Sequence, residues 1–338
     1  MRWFVTINGL YLSARNIPLT VAPKLIRQLI IWLAISIAVY GIVLAAMEDV
    51  GRMTASLAML GIAGWVSIIG LSSLNIIVRF GRWQYYLVSL GYNINLLRSL
   101  QCFIAGFAFT ITPAKAGEAV RSLYLKNDGV GYTNSLAALF VERLTDLLAV
   151  VLMALAAAYS FEDYRWLVWL AGGITLGILP FVHSKLIRQL LLRISTRYAS
   201  GRLGTVLGKI VDLIDSSASL LRSGPLYGGM ILSLVACFSV CFMMYVALNM
   251  LGAAISMPLA VGIYATGILV GALSFLPGGI GSAEAVMIGL LVLAGVDLPT
   301  ATAATLVCRI AALWYSIVLG LGIVLRLETG SNKQMENG

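Results

Sequence analysis

Long apolar segments alternate with short polar connections over most of the chain. A helix needs about 20 mainly apolar residues to cross the hydrocarbon core of a bilayer, and several segments reach or approach that length. The predicted spanning helices are 25–47, 57–78, 133–160, 166–182, 226–251 and 299–325. The pattern therefore predicts an all-α polytopic membrane protein.

Two further apolar stretches, 96–127 and 258–295, are interrupted by proline and glycine near their middle. Each arm is shorter than the roughly 20 residues that a crossing requires. Interrupted backbone is tolerated at membrane depth only where it is buried in protein or lines a wet cavity. Both stretches are therefore predicted to be re-entrant helical hairpins.

The two hairpins lie in an internal repeat. When the chain is aligned on itself so that Glu118 matches Glu284, Arg143 matches Arg309 without a gap, and Gly129 falls on Gly295 between them. Interrupted segments at matching places in two halves indicate the binding site of a transporter. We expect an inverted repeat in which the first hairpin enters from the cytoplasm, the second enters from outside, and their tips meet near the midplane.

The polar segments divide the chain into parts. Lys and Arg collect in cytoplasmic loops, so the basic segment 183–224 is predicted to form cytoplasmic amphipathic helices, with both termini on the same side. Residues 79–90 are predicted to be an interfacial segment. The predicted parts are an N-terminal interfacial segment 1–24, a first membrane half 25–182, the segment 183–224, a second half 225–327 and a disordered tail 328–338.

The composition agrees with a membrane protein and gives no reason to expect a nucleic-acid partner. Hydrophobic residues make up 60% of the chain and charged residues 11%, against about 25% charged residues in soluble domains. The net charge of +9 is explained by cytoplasmic loops, so no nucleic-acid partner is expected. The four cysteines lie in apolar runs without metal-ligand spacing, and no metal or cofactor is predicted; a homo-oligomer is left open.

Charged residues within predicted membrane segments are the main candidates for function. Each costs about 2.5–3.5 kcal/mol on insertion scales, so such residues face a cavity or one another. One alternative is a cavity that binds a substrate, and the other is a structural network of ion pairs. Arg309 has no local carboxylate, so its partner is expected to be Glu284, Glu118 or a ligand phosphate.

The two breaks have the composition of an anion site. Lys115 lies beside a predicted helix start, where free amides favour negative charge. The glycines of the second break allow close backbone approach, although they also suit tight helix packing. The candidate substrate-binding residues are Lys115, Glu118, Arg121, Glu142, Arg143, Asp146, Gly278, Gly279, Gly281, Glu284 and Arg309.

Three motifs in order, at 112–121 (TPAKAGEAVR), 142–146 (ERLTD) and 277–284 (PGGIGSAE), resemble the lysylphosphatidylglycerol synthase/flippase-like integral membrane family. The resemblance extends roughly from the first span to the last. It implies lipid translocation in the cytoplasmic (inner) membrane of a bacterium or archaeon. Synthase activity is not expected, because no aminoacyl-transferase domain follows the last span.

The function predicted from these features is that of a lipid flippase or transporter rather than an enzyme. Its expected substrate is an anionic phospholipid or a polyprenyl-phosphate-type (glyco)lipid. The alternatives are an intramembrane lipid-modifying enzyme and a non-transporting accessory protein of a glycolipid or envelope pathway. No metal cluster or nucleophile–base set in the sequence favours the enzyme.

Overall fold

The computed structural model describes residues 58–110, 112, 117–126, 128–160 and 213–336, with isolated positions elsewhere, and these residues form helices without strands. Three helical stretches among them are long and apolar enough to cross a membrane, namely Gly61–Ser89, Gly224–Met250 and Leu298–Leu327. The helices are α1 Gly61–Ser89, α2 Leu96–Phe107, α3 Val120–Lys126, α4 Tyr132–Ser160, α5 Ser223–Met250, α6 Met257–Leu273, α7 Ser282–Leu293, α8 Leu298–Arg309 and α9 Tyr315–Glu336, with a π-helical segment Ile310–Trp314 between α8 and α9.

The first interrupted segment folds as an antiparallel helical hairpin. A Cβ built on Gly106 of α2 would lie 3.4 Å from the Glu118 carbonyl and 3.7 Å from the Arg121 side chain. At the opposite end, Arg98 forms an ion pair of 3.2 Å with Asp128. The 12 residues of α2 extend about 18 Å, well short of a hydrocarbon core about 30 Å thick. Chain entry and exit therefore lie at the same end of the hairpin.

The second interrupted segment has the same form. A Cβ on Gly271 of α6 would lie 2.9 Å from Ala283 Cβ, and one on Gly267 would lie within contact of Met287, so α7 runs back along α6. Glycine at these positions removes the side chain that would separate the two arms. Both interrupted segments fold back on themselves. That they are re-entrant, and that they enter the membrane from opposite sides, stay predictions.

The internal repeat appears in the helix boundaries. In the alignment that places Glu118 on Glu284, the end of α2 falls on the end of α6, and the start of α4 falls on the start of α8. The connecting loops share a positive-φ glycine, at Gly129 and Gly295. They also share one hydrogen bond, from Val130 N to Leu125 O and from Val296 N to Leu291 O. The two halves therefore use the same loop in the same register.

The two halves interlock. The equivalent helices α1 and α5 pack antiparallel, with Gly64 near Met250 and Tyr86 near Gly229. A long helix of each half packs on the first hairpin arm of the other half. Helix α4 packs on α6, and helix α9 packs on α2. An inverted repeat requires equivalent helices to cross the membrane in opposite directions, and this arrangement stays a prediction.

Two sequence predictions need correction, and others lie beyond the described residues. The interfacial segment predicted for 79–90 is wrong, since these residues continue α1 to Ser89 and Arg82, Trp83 and Tyr86 are fully buried. They are buried because α5 and the hairpin cover that face of α1. Helix α9 extends to Glu336, so the backbone is helical in most of the tail predicted to be disordered. The predicted segments 1–24 and 25–47, the span 166–182 and most of 183–212 lie outside the described residues.

Candidate functional site

Glu118 anchors the first hairpin break. It lies in the helical turn that precedes α3 and is 1% exposed. One carboxylate oxygen accepts a hydrogen bond of 3.1 Å from the Thr110 hydroxyl, and the other accepts one from Arg143 of α4. The Thr112 hydroxyl accepts a hydrogen bond of 2.7 Å from the Gly117 amide. Lys115 lies outside the described residues.

Behind Glu118 lies a fully buried group of three charged side chains. Glu142 of α4 accepts a hydrogen bond from Arg121 of α3 through one oxygen, and its other oxygen lies 3.6 Å from Arg82 Nη2. Arg82 also donates to Asp146 at 2.5 Å and to the Ser233 hydroxyl of α5. Arg121 lies over the Trp83 ring, 3.9 Å from its centroid. These contacts join α1, α3, α4 and α5 at one point.

The outer face of this cluster is more open. The side chains of Arg79, Asp146 and Arg143 are 14%, 19% and 29% exposed, against 0–1% for Arg82, Arg121, Glu118 and Glu142. Arg79 Nη2 lies 3.8 Å from Glu118 and 4.0 Å from Asp146. Asp146 is at the middle of the 29-residue helix α4. We call the seven charged residues Arg79, Arg82, Glu118, Arg121, Glu142, Arg143 and Asp146 the arginine cluster.

The second break holds one ion pair. Arg309 donates to Glu284 at 2.6 Å through Nε and to the Gly278 carbonyl at 2.7 Å through Nη2. Glu284 also accepts a hydrogen bond of 2.8 Å from the Gly281 amide, so it caps α7. Of the three partners expected for Arg309, the structure selects Glu284.

Two backbone amides of the glycine run at the second break donate hydrogen bonds to groups of the same hairpin. Gly278, Gly279 and Gly281 have positive φ angles of 60°, 67° and 87°, a conformation that glycine adopts at little cost. The Gly279 amide donates to the Leu276 carbonyl and the Gly281 amide to Glu284. Gly279 also lies against the backbone of Gly271. In this conformation the run packs the hairpin and orients Arg309.

The charged residues form two groups, namely an ion pair that both halves contain and residues that have charged side chains in the first half only. The Glu118–Arg143 and Glu284–Arg309 pairs each join residues 25 positions apart. The other members of the arginine cluster have apolar counterparts in the second half, when α1 and α5 are aligned at their C-terminal ends. The counterparts are Val240 for Arg79, Met243 for Arg82, Met287 for Arg121, Cys308 for Glu142 and Ala312 for Asp146. The shared pair belongs to the fold of each hairpin, whereas the rest of the cluster belongs to the first half alone.

One buried apolar cluster includes residues next to both breaks. Phe109 lies beside the first break and Ile280 lies in the second, and Leu313 and Ile317 are among the other members. The structure therefore brings together five first-half candidates, namely Glu118, Arg121, Glu142, Arg143 and Asp146. It separately brings together Gly278, Gly281, Glu284 and Arg309.

Arg79 and Arg82 are the site residues that sequence reasoning missed. The sequence pattern places them after the predicted span 57–78, in the predicted interfacial segment 79–90. A signal was present: Arg79, Arg82, Trp83 and Tyr86 recur at the i, i+3, i+4, i+7 spacing of one helix face. Such spacing next to an apolar span is also consistent with an extended helix whose polar face is buried.

Comparison with known proteins gives the family. A family model described as the lysylphosphatidylglycerol synthase TM region matches residues 30–320. The chain belongs to this family. A UPF0104 membrane protein of Pyrococcus horikoshii is 24% identical over 275 residues, which cover 72% of this chain and 81% of that protein. The family resemblance seen in the motifs is confirmed, and the protein is a multi-pass membrane protein with apolar helices.

Proposed function

We propose that this family member moves a lipid with an anionic headgroup across a membrane. The observation that carries the proposal is the charge balance of the arginine cluster. Within the described residues, four arginines meet three carboxylates, so the cluster has a net charge of +1. Excess charge at membrane depth is costly and is a marker of substrate pathways. An anionic headgroup would supply the missing negative charge.

The architecture around the cluster supports transport. Glu118 begins the second arm of an interrupted hairpin, and Asp146 lies at the middle of a long helix. Binding sites of secondary transporters lie near the bilayer midplane, where broken helices of two repeats meet. The headgroup would occupy the polar cluster while the acyl chains remain in the surrounding lipid. The expected location is the cytoplasmic membrane.

Lipid exchange in proteoliposomes tests this function. The purified full-length protein is reconstituted with fluorescent phosphatidylglycerol or fluorescent phosphatidylcholine, and transbilayer movement is followed by quenching of the outer leaflet. We expect faster movement of phosphatidylglycerol than in protein-free vesicles. Arg143→Gln should abolish this movement, because it removes the donor to Glu118, while Arg98→Gln on the exposed hairpin end should leave it unchanged.

Two results would contradict transport. One is a folded wild-type protein that moves neither lipid faster than empty vesicles do, which is expected of an accessory protein. The other is conversion of the labelled lipid to a new species, detected by chromatography of the extracted lipids, which is expected of an intramembrane enzyme.

A further inference from the structure

One arginine of the cluster, Arg79, differs from the others in its contacts with the carboxylates. Three close ion pairs use the three carboxylates: Arg82 with Asp146, Arg121 with Glu142, and Arg143 with Glu118. Arg79 is the fourth arginine. Its own contacts to Glu118 and Asp146 are 3.8 and 4.0 Å long, beyond hydrogen-bonding distance.

Arg79 also has unused donors. Its Nε and Nη2 atoms are buried and make no hydrogen bond among the described residues, as is also true of some guanidinium nitrogens of Arg82, Arg121 and Arg143. Arg79 differs from these three because neither of its carboxylate contacts is short enough to be a hydrogen bond. Its guanidinium lies 5.3 Å from the centroid of the Phe107 ring, a cation–π contact that does not satisfy its N–H donors. A guanidinium with free donors in a partly desolvated setting suits the planar, bidentate recognition of a phosphate or carboxylate.

Arg79 lies on the more open side of the arginine cluster, with a side chain that is 14% exposed. Arg82 and Arg121 are 0% and 1% exposed and are surrounded by helices, so they hold the cluster together. The more open face consists of Arg79, Asp146 and Arg143. Two arginines and one aspartate give that face a net positive charge, and Arg143 lies beside Arg79 on the same carboxylates.

We propose that Arg79 is the residue that binds the phosphate of the lipid headgroup, with Arg143 as its neighbour on the open face. Arg82, Arg121 and the Glu284–Arg309 pair support the structure and do not contact the ligand. The second half has Val240 at the position equivalent to Arg79, so the protein has this phosphate site in the first half only. The inference rests on the proposed function and names the contact residue of that site.

Lipid binding to the purified full-length protein in detergent, measured by native mass spectrometry, tests this assignment without requiring transport. We expect the wild type to bind phosphatidylglycerol more tightly than phosphatidylcholine. Arg79→Gln should weaken binding of phosphatidylglycerol by about tenfold or more, the range for losing hydrogen bonds to a charged group. Binding of phosphatidylcholine, whose phosphate charge is offset by its own choline cation, should weaken less, and the thermal unfolding temperature should not change. Arg98→Gln, which removes a more exposed arginine paired with Asp128, should bind as the wild type does.

Further arms identify the ligand and guard against a folding defect. Inorganic phosphate that displaces phosphatidylglycerol from the wild type would show that the phosphate alone is recognised. An Arg79-dependent preference for phosphatidylglycerol without such competition would show that the lipid is required. If Arg79→Gln does not fold, Arg79→Lys keeps the charge and loses the planar fork, and it should retain only part of the preference.

The assignment is overturned if a folded Arg79→Gln protein, or Arg79→Lys in its place, binds phosphatidylglycerol with wild-type affinity. It is also overturned if the wild type shows no preference for phosphatidylglycerol over phosphatidylcholine. The transport proposal fails separately. Arg79-dependent binding with no lipid movement in proteoliposomes would retain the phosphate site and reject the flippase. Lipid movement that is unaffected by Arg79→Gln would retain the flippase and reject Arg79 as the phosphate site.

Discussion

Arginine has different roles at different positions in this protein, and its surroundings decide which. Arg82 and Arg121 are enclosed and make short contacts with carboxylates, whereas the carboxylate contacts of Arg79 are 3.8 and 4.0 Å long. A buried ion pair that loses one partner leaves an uncompensated charge, which typically costs about 3–5 kcal/mol. Supporting arginines should therefore affect folding, and ligand-binding arginines should affect affinity.

Arg309 is predicted to be a supporting residue. Arg309→Met removes both of its hydrogen bonds and leaves Glu284 charged and nearly buried. We expect the free energy of unfolding to fall by about 3–5 kcal/mol, measured by thermal and denaturant unfolding of the protein in detergent. Adding Glu284→Gln should restore part of the loss, because the glutamine is neutral and can still accept from the Gly281 amide.

The matched control for this pair is Arg98→Gln, since the Arg98–Asp128 pair is exposed and such pairs contribute about 0–1 kcal/mol. A single Arg309→Met protein as stable as the wild type would show that the second pair does not hold its hairpin. It would then return Arg309 to the group of candidate ligand residues.

At the scale of elements, small residues set how closely the helices approach. Helix α9 packs on the end of α2 through Gly320, and a Cβ there would overlap the backbone of Phe107 and Ala108. Just before α9, the π-helical segment Ile310–Trp314 follows Arg309 directly. The Ser72 hydroxyl of α1 donates to its Ala311 carbonyl at 2.6 Å. The equivalent part of α4 is regular α-helix, so the long helices of the two halves differ next to their arginines.

Gly320→Ala is predicted to separate the first hairpin from α9. Backbone of α2 cannot move aside as a flexible side chain could, and overpacking typically costs about 1–3 kcal/mol. We expect a lower thermal unfolding temperature for the detergent-purified protein. Gly322→Ala lies in the same helix with no atom within 4 Å of its Cβ and should cause no loss. Equal unfolding temperatures for the two variants would contradict the close packing.

At the scale of the whole molecule, the fold is two related units packed antiparallel through α1 and α5. The turns after these helices match, with Gly91 and Gly252 both at positive φ, so the loops that follow occupy equivalent places. The first hairpin arms differ in length, since α6 has 17 residues and α2 has 12. This difference explains why the alignment that matches α1 with α5 has a different residue offset from the alignment that matches Glu118 with Glu284. Equivalent loops in antiparallel units should lie on opposite sides of a membrane.

Cysteine labelling tests that arrangement with a matched pair. Asn93→Cys and Ala254→Cys occupy equivalent positions in the loops before the two hairpins, in a background without the native cysteines. We expect an impermeant thiol reagent to label only one of them in intact cells, and both after permeabilisation. Labelling of both in intact cells would mean that both hairpins enter from the same side, and the inverted arrangement would be wrong.

The sequence by itself determined the class of protein, the two interrupted segments and the repeat. Hydrophobic length, proline and glycine breaks, and a register of identical residues are local properties that persist without tertiary contacts. The matching boundaries of α2 with α6 and of α4 with α8 follow from that register. So does the equal spacing within the Glu118–Arg143 and Glu284–Arg309 pairs.

Only the tertiary structure decided which charges meet. Because Arg79 and Arg82 follow an apolar segment, the sequence pattern places them in an interfacial segment. Nothing in the local sequence shows that α5 and the first hairpin cover them. The partner of Arg309 was likewise one of three candidates until the fold placed Glu284 at 2.6 Å. A charge at membrane depth is stabilised by groups from distant parts of the chain, and the packing of helices determines which groups those are.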